Sequence, residues 1–184
     1  MRNSKNPLQD IAVFILALFA VQLVNLATGM GLTRFGIIPR SLIGLRGIFF
    51  SPLIHGSWAH LLANVGPLAV MLGLLSFHKK RSIWATTGAI WLTTGFATWL
   101  FGRPGSIQIG ASGVIYGLAT YLITAAWTDR DLGSAFIALL VIVVYGGLFW
   151  GLFPTASGVS WEGHVCGATS GIMVARASQK SRRR

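Results

Sequence analysis

The stretch Ser134–Phe153, SAFIALLVIVVYGGLFWGLF, runs for 20 residues without a charged side chain. A helix that crosses the hydrocarbon core of a bilayer needs about 20 predominantly apolar residues, so this stretch sets the class of the protein. Working outward, five more segments approach that length or polarity: Ile11–Thr28, Trp58–Phe77, Ile83–Phe101, Gly110–Trp127 and Gly163–Ala175. The fourth and sixth in chain order are short and rich in Gly, Ala, Ser and Thr, the small residues that let helices approach closely in lipid. Composition agrees. Of 184 residues, 53% are hydrophobic and 10% charged, with a mean hydropathy of +0.66, against roughly 25% charged in a soluble domain. An ordinary soluble domain is excluded. The pattern predicts an all-α membrane protein, a bundle of six transmembrane helices.

The charges orient that bundle. With the N-terminus in the cytoplasm, the inner side holds Arg2, Lys5, Lys79, Lys80, Arg81, Arg130, Arg176, Lys180, Arg182, Arg183 and Arg184, and the outer side only Arg34, Arg40, Arg46 and Arg103. That asymmetry obeys the positive-inside rule and places both termini in the cytoplasm. The first apolar run follows Arg2 and Lys5 but is long and lacks a clean small-x-small cleavage site, so it reads as an uncleaved anchor. A net charge of +11 would ordinarily raise nucleic acid as a partner. Here the cations cluster at helix ends rather than along one aromatic-lined face, so the partner they point to is the lipid bilayer. Trp58, Trp84, Trp127, Trp150 and Trp161 fall mostly near span ends, as an interfacial belt does. The lone Cys166 excludes an internal disulfide framework and reads as small and buried; no metal-ligand spacing is present, and no cofactor is expected.

Strongly polar residues inside spans mark function. Those picked out here are His60 and Asn64 in the second span, Ser112 and Tyr116 in the fourth, and His164 in the sixth. The three spans all run from outside to inside, so His60, Ser112 and His164 lie at comparable depth on the outer side, with His164, 12 residues before Arg176 or about 18 Å along a helix, the deeper. Ser112 lies 17 residues before Asp129, about 25 Å along a helix, which submerges it a few Å below the outer edge. Ser112 in Gly110-Ala111-Ser112-Gly113 reads either as a helix cap or as a nucleophile; His164 supplies the base that a serine nucleophile requires. His60 and Asn64, four apart on one helix face, are candidate oxyanion donors together with the Ser112 N–H, or else a polar pair joining helices. His55 near the span entrance is either structural or bonded in the same cavity. Tyr116 either buttresses the His164 ring or packs. Gly113 and Gly117, and Gly163, Gly167 and Gly171, form small-xxx-small faces that bring the fourth and sixth spans together. Of the four acids, Asp10, Asp129 and Asp131 are on the cytoplasmic side, and Glu162, on the correct side, is expected in the solvated loop before the helix. The residues therefore predict a Ser–His dyad without an acid.

His55-Gly-Ser-Trp-Ala-His60-Leu-Leu-Ala-Asn64, Gly110-Ala-Ser112-Gly113-Val-Ile-Tyr116-Gly117 and Gly163-His164-Val-Cys-Gly167-Ala-Thr-Ser-Gly171 resemble, in order and in span position, the motifs of the rhomboid intramembrane serine proteases. The resemblance runs from about Ile11 to Ala175. It implies Ser112 as nucleophile and His164 as general base and acid, with His60, Asn64 and the Ser112 amide as the oxyanion site. It implies Tyr116 stacked on His164 and the 29–57 loop in the outer leaflet. Substrates would be transmembrane segments of membrane proteins, cut near their outer end at a small residue after lateral access past the fifth span. The implied organisation is a cytoplasmic tail over 1–10, a six-span catalytic domain over 11–177 and a basic cytoplasmic tail over 178–184, in a bacterial plasma membrane, with the site opening to the extracytoplasmic side. The first loop departs from the Trp-Arg pair of many bacterial members: Leu45-Arg46-Gly47 stands there, with Arg46 in the arginine's place. The alternative is a catalytically inactive rhomboid-like factor that binds membrane proteins or serves their quality control. Such relatives typically lose Ser or His, and this chain keeps both. A transporter would predict charges at mid-membrane or paired broken helices, and neither is evident.

Overall fold

The computed structural model describes residues 6–78, 82–154 and 160–182. The basic residues Arg2, Lys5, Lys79, Lys80, Arg81, Arg183 and Arg184 lie outside them. The described chain is helical throughout, with a single antiparallel bridge between Ile37 and Gln108. Its α-helices are α1 (Pro7–Ala27), α2 (Gly47–Phe50), α3 (Trp58–Ser76), α4 (Ile83–Phe101), α5 (Ser112–Asp129), α6 (Leu132–Tyr145) and α7 (Trp161–Arg182). Helix starts follow their side chains: Asn6, Ser57, Ser82 and Asp131 each accept a backbone N–H three residues on.

Three helical stretches are long and apolar enough to cross a membrane: Pro7–Ala27, Trp58–Ser76 and Leu132–Leu152. The first and last turn large apolar side chains outward, among them Leu16, Leu23, Phe136, Leu139 and Val143, in the manner of lipid-facing helices. The predicted fifth span is not one α-helix to its end. At Gly146-Gly147, where helix propensity is low, it tightens into a 3-10 helix over Gly146–Leu152. The predicted sixth span begins earlier and ends later than expected, as α7.

At the centre stands α5, which buries Val114, Leu118, Tyr121, Leu122 and Ala125. Its most extensive partner is α7, with α6 and α4 beside it. The seam between α5 and α7 is glycine. A Cβ on Gly167 would lie 2.0 Å from the Gly113 carbonyl oxygen, and one on Gly171 2.0 Å from that of Gly117. A Cβ on Gly113 would press on Gly163 O at 3.2 Å, and one on Gly117 on Gly167 O at 3.1 Å. The two backbones are therefore in direct contact, and Thr120 ties them by donating to Ala168 O at 2.8 Å.

The 29–57 loop is structured by short 3-10 turns and α2. Arg40 donates to the carbonyls of Leu100 (2.7 Å) and Gly102 (3.0 Å), capping the C-terminal end of α4 where free carbonyls and the helix dipole favour a cation. Arg46 donates to Arg34 O at 2.9 Å and lies over the Phe35 ring at 4.5 Å. Trp91 and Trp99 of α4 donate to Ile48 O and Ser41 O. Leu42, Ile43, Phe49 and Phe50 point outward. From α1, buried Asn25 donates to His55 O at 3.1 Å and accepts from Leu32 N at 3.0 Å, fastening both ends of the loop.

Gly167→Val is expected to destabilise the protein by about 1–3 kcal/mol through overpacking, read as a lowered unfolding midpoint in detergent. Gly73→Ala, where a Cβ meets nothing within 4 Å, is expected to be neutral or to stabilise by up to about 1 kcal/mol. Equal effects at the two positions would remove the glycine seam as a determinant of the fold.

Candidate active site

A cavity of about 670 Å³ opens among α3, α5, α7 and the 3-10 turn after α6. His60, Asn64, Ser112, Tyr116 and His164 all line it. Ser112 reaches it because the preceding turn admits only glycine. Gly110 has φ +107°, its N–H donates to Ser51 O at 2.8 Å, and a Cβ there would strike the His60 ring at 2.6 Å. Ser112 is the first residue of α5 and Ala111 its cap. The capping role open to the Ser112 hydroxyl is thus not the one it plays. Its Oγ lies 2.9 Å from His164 Nε2. As the first helical residue, Ser112 also has a backbone N–H without an acceptor in its own helix.

Buried His164 holds a defined tautomer. Its Nδ1 lies 2.8 Å from Gly151 O. A carbonyl only accepts, so Nδ1 carries the proton and Nε2 is the acceptor for the Ser112 hydroxyl. Tyr116 stacks on the imidazole with ring centroids 4.2 Å apart and planes 11° from parallel, and its hydroxyl donates to Leu148 O at 2.7 Å. Glu162 does not lie in the solvated loop expected from the sequence. It sits in the first turn of α7, its side chain 11% exposed, and pairs with Arg103 at 3.4 Å. The helix starts at Trp161, two residues ahead of the predicted start, and carries Glu162 in with it.

On α3, His60 Nδ1 accepts the Gly56 N–H at 3.4 Å, which leaves its Nε2 as a donor beside Gly110. Asn64 gives one amide hydrogen to His60 O at 2.7 Å and has a second to offer; its Oδ1 is buried and unpaired. Pro67, in mid-helix, cannot donate to the Ala63 carbonyl, and both residues face the same cavity. His55 is fully buried outside the cavity wall, edge-on to His60 at 5.1 Å, and accepts the Ala111 N–H at 3.4 Å. Burial, and after it the neighbouring His60, hold its pKa down to about 4, so it is neutral at pH 7. Cys166 is buried and free.

Sequence reasoning overlooked several participants. Asn25, which holds the His55 carbonyl, is a polar residue buried within α1, and the rule applied to the other spans would have found it. Gln108, whose Oε1 accepts from Ser160 Oγ, stands on the cavity wall with that serine. The carbonyls of Leu148 and Gly151 have no side-chain signature at all.

This geometry is matched by kinship. Residues 44–180 match the rhomboid domain family. An uncharacterized protein of Mycobacterium tuberculosis is 38% identical over 174 residues, covering 90% of this chain and 72% of that one. A Mycobacterium leprae counterpart, also uncharacterized, is 37% identical over 174 residues, 90% of this chain and 68% of that one. Rhomboid-like protease 5 of Toxoplasma gondii is 26% identical over 140 residues, 73% of this chain and 16% of that one. The chain belongs to the rhomboid family, and with its apolar helices it is a multi-pass integral membrane protein.

The neutral His55 gives stability a pH dependence. The unfolded state takes up a proton near pH 6.5 and the folded state only near 4. The contribution is therefore complete above pH 6.5 and is lost as pH falls from there toward 4. The unfolding midpoint of the wild type is expected to drop across this window, and that of His55→Gln to drop less. Parallel curves would refute the assignment.

Proposed function

We propose that this protein is an intramembrane serine endopeptidase. The observation that carries the reading is the 2.9 Å approach of Ser112 Oγ to the unprotonated Nε2 of His164 at the wall of a cavity. Ser112 gives its proton to Nε2 as its oxygen attacks the scissile carbonyl. His164 then delivers that proton to the leaving amine, leaving an acyl-enzyme on Ser112. Water, deprotonated by the same nitrogen, releases the second product. The negative charge of each tetrahedral intermediate is met by the Ser112 N–H, His60 Nε2–H and the second amide hydrogen of Asn64.

The substrates are transmembrane segments of other membrane proteins. They are cut near their outer end at a small residue, after lateral access past α6 and the turn above it. The fold is read as six spans (α1, α3, α4, α5, α6 with its 3-10 extension, and α7), both termini cytoplasmic, in a bacterial plasma membrane with the cavity open to the outer side. Three of these six pass by length and apolarity alone. The others are largely enclosed by neighbours or rich in small and polar residues, which relaxes the need for apolar side chains. The Toxoplasma relative's name, a rhomboid-like protease, supports the activity, and retention of both Ser112 and His164 favours it over an inactive client-binding role.

A transmembrane reporter reconstituted with the wild type is expected to be cleaved, and with Ser112→Ala to lose about 10⁴-fold or more in rate. Equal cleavage by the alanine variant sinks the proposal. Asn64→Ala is expected to lower kcat about 10- to 1000-fold, as for loss of one oxyanion donor; an unchanged kcat takes Asn64 out of that role.

A further inference from the structure

A histidine base needs an acceptor on its far nitrogen to hold one tautomer and steady the imidazolium that forms. Each acid in this chain is committed elsewhere. Asp10 accepts from the Trp84 indole, Asp131 caps α6, and Glu162 pairs with Arg103. Asp129 ends α5 at the far end from Ser112, beside Thr128. We propose that the backbone carbonyl of Gly151 fills the place of the missing acid, and that the turn Gly146–Leu152 is the positioning element of the dyad. The inference rests on the protease reading and deepens it.

Two bonds dock this turn against the reactive residues: Tyr116 Oη–H to Leu148 O, 2.7 Å, and His164 Nδ1–H to Gly151 O, 2.8 Å. The two acceptors lie three residues apart on a 3-10 helix, whose period of three places residues i and i+3 on one side. Glycine is required for the second. A Cβ on residue 151 would stand 1.9 Å from Tyr116 Oη and 3.3 Å from His164 Nδ1, so only a bare backbone comes this close. The acceptor is also apt for its surroundings. A carbonyl dipole orients Nδ1–H without placing a second charge in a low-dielectric site, where a buried carboxylate is costly. It stays neutral through the cycle while the proton shuttles between Ser112, Nε2 and the leaving group.

The decisive variant replaces the peptide bond between Gly151 and Leu152 with an ester, by incorporating the α-hydroxy analogue of leucine at 152. This weakens the Gly151 carbonyl as an acceptor and changes no side chain. The control ester sits one bond further on, at Phe153, which removes a turn N–H but leaves the Gly151 carbonyl an amide. The ester at 152 is expected to lower kcat for a transmembrane reporter about tenfold with KM little changed. It is also expected to slow labelling of Ser112 by a serine-directed phosphonate to a similar degree. The ester at 153 is expected to stay within about twofold of wild type in both. Equal losses from the two esters, a change confined to KM, or no loss at 152 would overturn the inference while the wild type still cleaves and labels. A wild type that neither cleaves nor labels overturns the protease reading itself, and this inference with it.

Discussion

Everything else in this structure depends on the contact of two bare backbones. Where Gly167 and Gly171 of α7 meet the carbonyls of Gly113 and Gly117 of α5, there is no room for even a methyl group. In lipid, helices gain little from hiding apolar side chains, because the solvent is already apolar; close packing and interhelical hydrogen bonds must hold them instead. The glycine seam supplies the first, and Thr120 on Ala168 O the second. The consequence for the candidate site is geometric. Ser112 and Gly113, and Gly163 and His164, are adjacent in sequence. The contact that joins the helices therefore sets the separation of Ser112 and His164.

The seam alone leaves both side chains free to rotate, and the surrounding backbone removes that freedom. The Gly110 turn turns Ser112 inward, with His60 filling the space a side chain at 110 would need. His55 accepts the Ala111 N–H behind it, and Asn25 of α1 grips the His55 carbonyl. On the other side, the turn after α6 carries the acceptors for Tyr116 and His164. Each helix around the cavity thus contributes to the position of one oxygen and one nitrogen. The turn is the least enclosed of these supports. Phe149 and Trp150 on it are exposed, and so is Phe153 just beyond it.

Side-chain patterns made much of this legible. Apolar runs located α1, α3, α4 and α5 to within four residues at each end, whereas α6 stops eight residues short of its expected end and α7 runs seven past it; the small-residue periodicity at 113, 117, 163, 167 and 171 anticipated which two helices would touch. Polar residues in otherwise apolar segments singled out the side chains that line the cavity. What stayed hidden is chiefly main-chain chemistry. The Gly151 carbonyl is the same group every residue carries, so no spacing announces that it will face Nδ1. The fifth span breaks into a 3-10 turn at Gly146-Gly147, where helix propensity is low, and the turn then carries the acceptors for Tyr116 and His164. The small-residue run starts at Gly163 and so leaves Glu162 outside the expected span, whereas pairing with Arg103 lets the acid occupy the first turn of α7. Arg40 looked like one of several loop cations; its function as a cap appears only when the end of α4 arrives beside it.

The scarcity of charge, the first property the composition announces, becomes a constraint on the site. A carboxylate beside buried His164 would have to be desolvated, and beside a neutral histidine no charge would repay that cost. Dipoles escape the penalty. Backbone carbonyls, the amide of Asn64, the Nε2–H of His60 and a helix N-terminus at Ser112 can orient and stabilise without an unpaired ion in the resting protein. Positioning by dipoles demands closer approach than positioning by charges, because a dipole's field falls off faster with distance. Close approach requires residues without side chains. The glycines at 110, 113, 151 and 163 and the shortage of acids are in this sense one feature, since a site that cannot hold charge must be built from backbone.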